Sequence, residues 1–179
     1  MAWTVPPTWQ AGVKDQPTIT DFNQLLRDDL NYLLGGRDFV NASYNGSAIT
    51  STSTSWVAVD TTNARITTGV LNSQRVKGLF SFPCSITFSV AGTAYIYFTV
   101  YVDATTNLGN ATYGLAVASS AAGQQQITVP FIATGQSIAT HTLDLYWKLV
   151  TVSGTVSAMR IETANANGGG MLVKQAWEF

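Results

Sequence analysis

A single histidine and a single cysteine occur among the 179 residues, and they are the first candidates for chemistry. His141 and Cys84 could in principle pair, because an imidazole can activate a thiol as a nucleophile. Cys84 follows Pro83 in an apolar stretch, however, and His141 begins another such stretch. This pattern is typical of a buried thiol and of an imidazole at a strand end. The sequence also contains no G-x-S-x-G, Walker, G-x-G-x-x-G or H-E-x-x-H motif, so we predict that the protein is not an enzyme.

Paired carboxylates are the next candidates, since a glycosidase needs two of them at a set separation. Asp144 and Glu162 lie on late predicted strands that could be neighbours. The simpler interpretation is that both point outward, and we expect them to be solvated acids.

Metal ligands are sparse. Zinc requires clusters of His or Cys, and a calcium loop requires several converging oxygens. The segment DATTNLGN, residues 103–110, offers Asp103 and two asparagines but lacks the acidic density of a calcium loop. We therefore expect no metal and no other cofactor.

The composition excludes several partners. Charged residues make up 11% of the chain, against about 25% in ordinary soluble domains. The nine Lys and Arg residues are scattered and the net charge is −1, so nucleic-acid binding is not expected. No apolar run approaches the ~20 residues that span a bilayer, and MAWTVPPTW lacks the features of a secretory signal. We expect a protein that is made and folded in a cytoplasm without membrane insertion.

Most of the chain has the alternating pattern of β-strands. In residues 94–103, Ile96, Phe98, Val100 and Val102 face one way, and Tyr95, Tyr97 and Tyr101 face the other. Turn signals separate the predicted strands, which are 55–60, 64–71, 75–82, 85–91, 94–103, 112–118, 125–133, 140–151, 155–163 and 171–179. Eight to ten such strands predict an antiparallel β-sandwich or jelly roll over residues 37–179, with residues 37–54 as a loop. The tyrosine face is either an ordinary half-exposed surface or a subunit interface, where Tyr is enriched.

Residues 1–36 predict an extended arm followed by one short helix. Pro6, Pro7 and Pro17 favour extended backbone, and Trp3 and Trp9 are large apolar groups within the arm. These tryptophans either fold back on their own domain or insert into a neighbouring subunit. The helix lies within residues 18–36, and an apolar stripe recurs along it at helical spacing. The members of this stripe are Phe22, Leu25, Leu26, Leu30, Leu33 and Leu34. We predict that residues 1–36 serve attachment and oligomerisation.

The segments WTVPPTW and ITDFNQLLRDDLNYL resemble the beginning of a family of tailed-bacteriophage virion proteins. In that family a Trp-Thr-x-Pro-x-Thr-Trp arm precedes a helix that ends in Leu-Arg-Asp-Asn-Leu-x-(Tyr/Phe)-Leu. Asp29 stands where the family commonly has Asn. STSTSWVAVD, THTLDLYWKL and QAWEF are similar to strands of the same family, whose members are minor structural or tail proteins. The late strand also resembles trimeric jelly rolls of the C1q and tumour-necrosis-factor kind.

The resemblance implies a non-enzymatic virion protein, assembled in the host cytoplasm. It would be a homotrimer attached through its arm and helix to other virion proteins of the capsid or tail. Capsid decoration, a head fibre and a tail-tip component share these features. The alternative is a fibre module that binds a host-surface receptor or glycan through loops such as 104–112 and 164–170.

Overall fold

A computed structural model describes residues 38–120, 123–163 and 170–179. The chain divides between Arg37 and Asp38 into two units, Met1–Arg37 and Asp38–Phe179. The predicted arm and helix lie outside the described residues. The candidate attachment residues that lie there are Trp3, Pro6, Trp9, Phe22, Leu25, Leu26, Leu30 and Leu33.

The described part of the chain is built from antiparallel strands. These strands are β1 (Asp38–Tyr44), β2 (Ile49–Ser51), β3 (Val57–Ala58), β4 (Arg65–Thr67), β5 (Arg75–Val102), β6 (Thr106–Asn107), β7 (Ala116–Ser119), β8 (Gln125–Thr134), β9 (Thr142–Ile161) and β10 (Leu172–Glu178). The predicted mainly-β class is confirmed.

Two strands, β5 and β9, run through both halves of the structure. Residues 75–84 of β5 pair with β8 on one side, and β10 and then β1 follow on the other, which forms sheet A in the order β1-β10-β5-β8. Residues 94–102 of β5 pair with β7 on one side, and β9 and then β4 follow on the other, which forms sheet B in the order β4-β9-β5-β7. This is an antiparallel β-sandwich.

The two sheets face each other because β5 bends sharply between its two halves. Phe82 and Phe98 are sixteen residues apart on this strand, which would separate them by about 50 Å if it were straight. Their ring centroids instead lie 5.0 Å apart in an edge-on contact. Phe82 belongs to sheet A and Phe98 to sheet B, so this contact joins the sheets across the core.

This bend lies where β5 and β9 are paired through a series of bulges, between Thr87 and Ala94. A bulge adds an unpaired residue to one strand and bends the pair. Gly154 sits there at φ +77°, and a Cβ on it would lie 2.5 Å from the Val90 carbonyl oxygen. A Cβ on Gly92 would lie 2.0 Å from the Ser153 carbonyl oxygen. The bend therefore requires glycine at both positions.

The inner faces of both sheets form the hydrophobic core. The inward residues predicted from alternation in sheet B are all buried, and they are Ile96, Phe98, Val100, Val102, Leu143, Leu145, Trp147 and Leu149. Sheet A contributes Val76, Phe80, Phe82, Val129, Phe131, Leu172 and Ala176. The period of two therefore identified the core face of residues 94–102 and 143–149 correctly. In β10 the buried residues are Leu172, Ala176 and Glu178, so the alternating apolar residues Met171, Val173, Trp177 and Phe179 lie on the outer face.

Two features of the predicted strand layout were wrong. Residues 37–54 contain β1 and β2 rather than only a loop, because β1 completes the backbone ladder beside β10 although its residues are mostly polar. Predicted strands were also divided where the structure has one continuous strand, since 75–82, 85–91 and 94–103 form β5 and 140–151 and 155–163 form β9. The polar and glycine-containing segment of β5 is a bulged bend and not a chain reversal.

Candidate functional site

The outer face of sheet B carries five tyrosines, which we call the tyrosine face: Tyr95, Tyr97, Tyr101, Tyr113 and Tyr146. The ring centroids of Tyr95 and Tyr97 lie 6.4 Å apart in a stacked arrangement. The Tyr113 ring meets Tyr97 edge-on at 5.8 Å, and the rings of Tyr101 and Tyr146 are 4.2 Å apart. The predicted outward direction of Tyr95, Tyr97 and Tyr101 is thus confirmed, whereas their role as an interface remains a prediction.

Sequence reasoning missed the residues that extend this face. Lys148 places its Nζ 4.7 Å from the centroid of the Trp56 ring and 5.7 Å from that of Tyr97, as a cation does over aromatic rings. The indole Nε1 of Trp56 donates a hydrogen bond to the Ala111 carbonyl at 2.9 Å. This bond ties the loop that carries Tyr113 to the sheet. Lys148 lies directly opposite Tyr97 in the β5–β9 ladder, so the correct strand register would have revealed it.

The phenolic hydroxyls of the tyrosine face have no hydrogen-bond partner among the residues that the structure describes. Each can therefore donate to and accept from a partner molecule. Burial raises the pKa of Tyr146, and the nearby Asp144 carboxylate adds to this rise while Arg65 opposes it, so this hydroxyl remains a donor. The face combines aromatic surface with available hydroxyls, which is the composition of a protein interface or a sugar platform.

An ion pair lies at the edge of the tyrosine face. Arg65 donates from Nε to Asp144 Oδ1 at 2.6 Å and from its second terminal nitrogen to Oδ2 at 2.9 Å. The Asp144 side chain is only 1% exposed, and that of Arg65 is 33% exposed. The hydrogen bond with Asp144 raises the pKa of Arg65. The expectation that Asp144 is a solvated acid was wrong, because Arg65 on β4 covers and neutralises it.

The candidate acid pair and the candidate Cys–His pair are not assembled. Glu162 accepts a hydrogen bond from Ser85 Oγ at 2.8 Å and forms an ion pair with Arg160, whereas Asp144 binds Arg65. Cys84 is buried, and this burial, together with the Glu162 charge, raises the pKa of its thiol to about 12. A thiol of this kind is a poor nucleophile at neutral pH. The prediction of a buried thiol is confirmed.

His141 instead lies between Asp103 and Ser137. Its Nδ1 is 2.7 Å from Asp103 Oδ2, and its Nε2 is 3.2 Å from Ser137 Oγ and 3.1 Å from the Ser137 carbonyl oxygen. The order Ser–His–Asp is that of a nucleophilic triad. The base of such a triad must offer a lone pair to the serine hydroxyl, but here the same nitrogen also faces a carbonyl. A carbonyl can only accept, so Nε2 acts as a donor and does not deprotonate Ser137.

The oxygen-bearing side chains of residues 103–110, which we considered as calcium ligands, satisfy bonds within the protein. Asp103 binds His141 and the Thr142 amide, and Asn107 accepts from the Gly109 amide at 2.9 Å. Asn110 accepts hydrogen bonds from the amides of Thr112 and Tyr113. Among the described residues no group of three His, Cys, Asp or Glu side chains is placed to hold a metal ion.

The outer face of sheet A is a second surface with aromatic groups. Lys77 Nζ lies 4.7 Å from the centroid of the Phe179 ring and 5.7 Å from that of Trp177. Ile132 lies beside Lys77 on β8 and is 61% exposed. These contacts show that Lys77 covers aromatic rings and is not merely a solvated cation on a strand.

Comparison with protein-family models gives no match. Comparison with curated proteins gives none either. No helix within the described residues has the length and apolar character needed to cross a membrane.

Proposed function

We propose that the protein is a non-enzymatic structural component of a bacteriophage virion, a sandwich domain displayed on an attachment segment. The observation that supports this most directly is the division of the chain at Arg37–Asp38. The second unit has a continuous hydrophobic core made by its own two sheets. The sandwich therefore has its own core, and residues 1–36 have the arm and helix sequence pattern that we predict to serve attachment.

The proposed assembly is a homotrimer bound to other virion proteins of the capsid or tail. Three features support a function that the described unit performs through contacts of its surface with partners. The tyrosine face presents hydroxyls that bond no other described residue, the outer face of sheet A presents Ile132 and Trp177, and the polar side chains near His141 and Asp144 serve internal bonds. Tyr and Trp are the residue types that contribute most to binding at protein interfaces.

Removing residues 1–17 tests the attachment. We expect the truncated protein to remain folded and to disappear from purified particles, because Trp3 and Trp9 are the proposed anchors. Incorporation is measured by quantitative mass spectrometry of particles assembled with the truncated or the complete chain. The full-length variant Trp3→Ala/Trp9→Ala should show the same loss, whereas Thr128→Ala on the exposed face of β8 should be incorporated normally.

Normal incorporation of the truncated protein would contradict the attachment role of the arm. The copy number of the complete chain separates the remaining choices, since hundreds of copies indicate capsid decoration and a few copies indicate a fibre or tail tip. Light scattering of the purified protein measures the trimer directly.

A second candidate function is binding of a host-surface glycan, and the row of Tyr95, Tyr97 and Tyr113 favours it. Tyr113 is 62% exposed and leans on Tyr97, so its ring is available for stacking against a sugar. Of the two loops predicted to bind a glycan, 104–112 is adjacent to this row. Most of the loop 164–170 lies outside the described residues.

Replacing Tyr113 with Ala tests this second function. We expect affinity for host envelope glycan to fall about fivefold to tenfold, since one aromatic contact contributes about 1 kcal/mol. Stability should change by less than about 0.5 kcal/mol because the site is exposed. Tyr113→Phe retains the ring and should keep most of the affinity. Absence of glycan binding by the unaltered protein would leave the structural role alone.

A further inference from the structure

The imidazole of His141 contacts the β5–β6 turn and the β8–β9 connection, of which His141 is the last residue. Asp103 belongs to the turn between β5 and β6, and Ser137 belongs to the connection between β8 and β9. The His141 side chain is 8% exposed, and its two ring nitrogens face these two residues from opposite sides. The ring therefore fixes the course of its own connection at Ser137 and binds the turn that carries Asp103.

The hydrogen-bond partners determine the protons that the ring must carry. The Ser137 carbonyl oxygen can only accept, so the contact at 3.1 Å requires a proton on Nε2. The Asp103 carboxylate at 2.7 Å accepts a proton from Nδ1. Both contacts are satisfied together only by the doubly protonated imidazolium. With only Nδ1 protonated, Nε2 can accept a hydrogen bond from Ser137 Oγ at 3.2 Å, but its lone pair then faces the Ser137 carbonyl oxygen and the bond to that oxygen is lost. With only Nε2 protonated, the Nδ1 lone pair faces the Asp103 carboxylate.

We propose that His141 is a protonation-dependent clamp. As an imidazolium it binds Asp103 of the β5–β6 turn and the Ser137 carbonyl of its own connection, and it loses the bond to that carbonyl when it becomes neutral. The carbonyl bond is the one that is lost because the Asp103 carboxylate keeps the proton on Nδ1, and Asp103 also remains bonded to the Thr142 amide at 2.8 Å. This clamp is distinct from the proposed attachment role and does not depend on it.

The backbone of the β5–β6 turn supports the clamp. Asp103 and Ala104 both have positive φ, at 49° and 56°. This left-handed conformation is disfavoured for a residue with a Cβ and persists where the surroundings enforce it. Asp103 is held by His141 and by the amide of Thr142, and these bonds provide that enforcement.

The residues around His141 determine which charges act on the imidazole and how far a structural change can extend when the ring loses its proton. The β5–β6 turn contributes Asp103, which is the only charged group acting on the imidazole among the described residues. The neighbouring connection 136–140 and Thr68, which follows β4, offer polar uncharged groups near it. The His141 amide bonds Thr68 Oγ1 at 2.8 Å, and the Thr68 amide bonds the His141 carbonyl at 2.9 Å. These backbone bonds do not depend on the ring, so the change is local.

The pKa shifts define the pH range of the clamp. Burial alone would lower the pKa of His141, but the hydrogen bonds to Asp103 and Ser137 and the Asp103 charge outweigh it and raise this pKa above 6.5. Burial alone would raise the pKa of Asp103, but bonds from Thr142 and His141 outweigh it and lower this pKa below 3.8. The His141 contribution is therefore complete below its unfolded pKa and is lost as pH rises through the folded one. The Asp103 contribution is present above its unfolded pKa and is lost as pH falls through the folded one.

Nitrogen-15 NMR of the full chain tests the clamp without ambiguity, because the chain has one histidine. We expect both ring nitrogens to be protonated at pH 6 and the midpoint of the titration to lie above 6.5. Amide exchange in residues 136–141, corrected for its intrinsic pH dependence, should accelerate as the ring is titrated. Asp103→Asn should lower the His141 midpoint, whereas Asp60→Asn, which alters a carboxylate bound to Thr62 and Asn63, should not.

A neutral ring at pH 6, or a midpoint at or below 6.5 in the unaltered chain, would overturn the proposal. So would amide exchange in residues 136–141 that does not follow the titration. If Asp103→Asn does not fold, the titration of the unaltered chain still decides the question.

Discussion

Replacing Arg65 with Met is expected to lower the free energy of unfolding by about 3 kcal/mol. Asp144 would keep its burial, at 1% exposure, but would lose both hydrogen bonds from the guanidinium. Breaking a buried ion pair from one side costs about 3–5 kcal/mol because a buried charge is left unpaired. We expect the lower end of this energy range, since the Arg65 side chain itself is one-third exposed. Urea denaturation at pH 7, followed by tryptophan fluorescence, measures the change.

The double variant Arg65→Met/Asp144→Leu is the matched control. It removes the unpaired carboxylate, and we expect it to recover most of the lost stability, since apolar residues can replace a buried ion pair. Arg65→Lys keeps the charge but loses the two-bond geometry, so it should fall between the unaltered chain and Arg65→Met. Stability of Arg65→Met within about 0.5 kcal/mol of the unaltered chain, the range of ordinary surface changes, would show that Asp144 is solvated.

Alternation predicted which side chains point inward but not what covers those that point outward. Leu143, Leu145 and Trp147 are buried as expected. Asp144 lies on the opposite face and was expected to meet water. Its partner Arg65 is 79 residues away in sequence, and nothing in the local pattern brings the two together. The burial of an outward residue depends on strand order and register, which the sequence alone does not specify.

The bend of β5 illustrates a second limit. Gly92 has the local signature of a turn, and a turn would place residues 94–103 beside 85–91. In the structure β9 stays paired with β5 through the bulges on both sides of the bend. Residues 84–90 and 94–102 therefore share a neighbouring strand instead of pairing with each other. Local glycine signals mark a change of direction, but long-range pairing decides whether it becomes a hairpin or a bend.

Only part of the tyrosine face was predicted, because the sequence pattern of one strand does not show which other elements lie beside it. Tyr95, Tyr97 and Tyr101 lie on one strand, so their period of two was sufficient to group them. Lys148 belongs to another strand, and Trp56 is brought in by its bond to the Ala111 carbonyl. The rest of this surface therefore depends on contacts between elements, which the sequence pattern of one strand does not predict.

Replacing Phe98 with Ala is expected to lower the free energy of unfolding by about 3–5 kcal/mol, the usual cost of removing a buried Phe ring. Phe98 is fully buried and contacts Phe82 in sheet A and Trp147 in its own sheet, with ring centroids 5.0 Å and 6.5 Å away. Its loss would leave a cavity between the two sheets. Chemical denaturation of the purified chain gives the change in free energy.

Two variants separate this cavity effect from a general sensitivity to changes in β5. Phe98→Leu retains apolar volume and should cost less than about 1.5 kcal/mol. Phe88→Ala removes the same ring near the bend, where the side chain is only partly buried, and should cost clearly less than Phe98→Ala. Equal costs for Phe88→Ala and Phe98→Ala would mean that the Phe82–Phe98 contact does not hold the sheets together. Tyr97 points away from the core beside Phe98, so loss of the inner contact should also disturb the outer face on which the proposed binding functions depend.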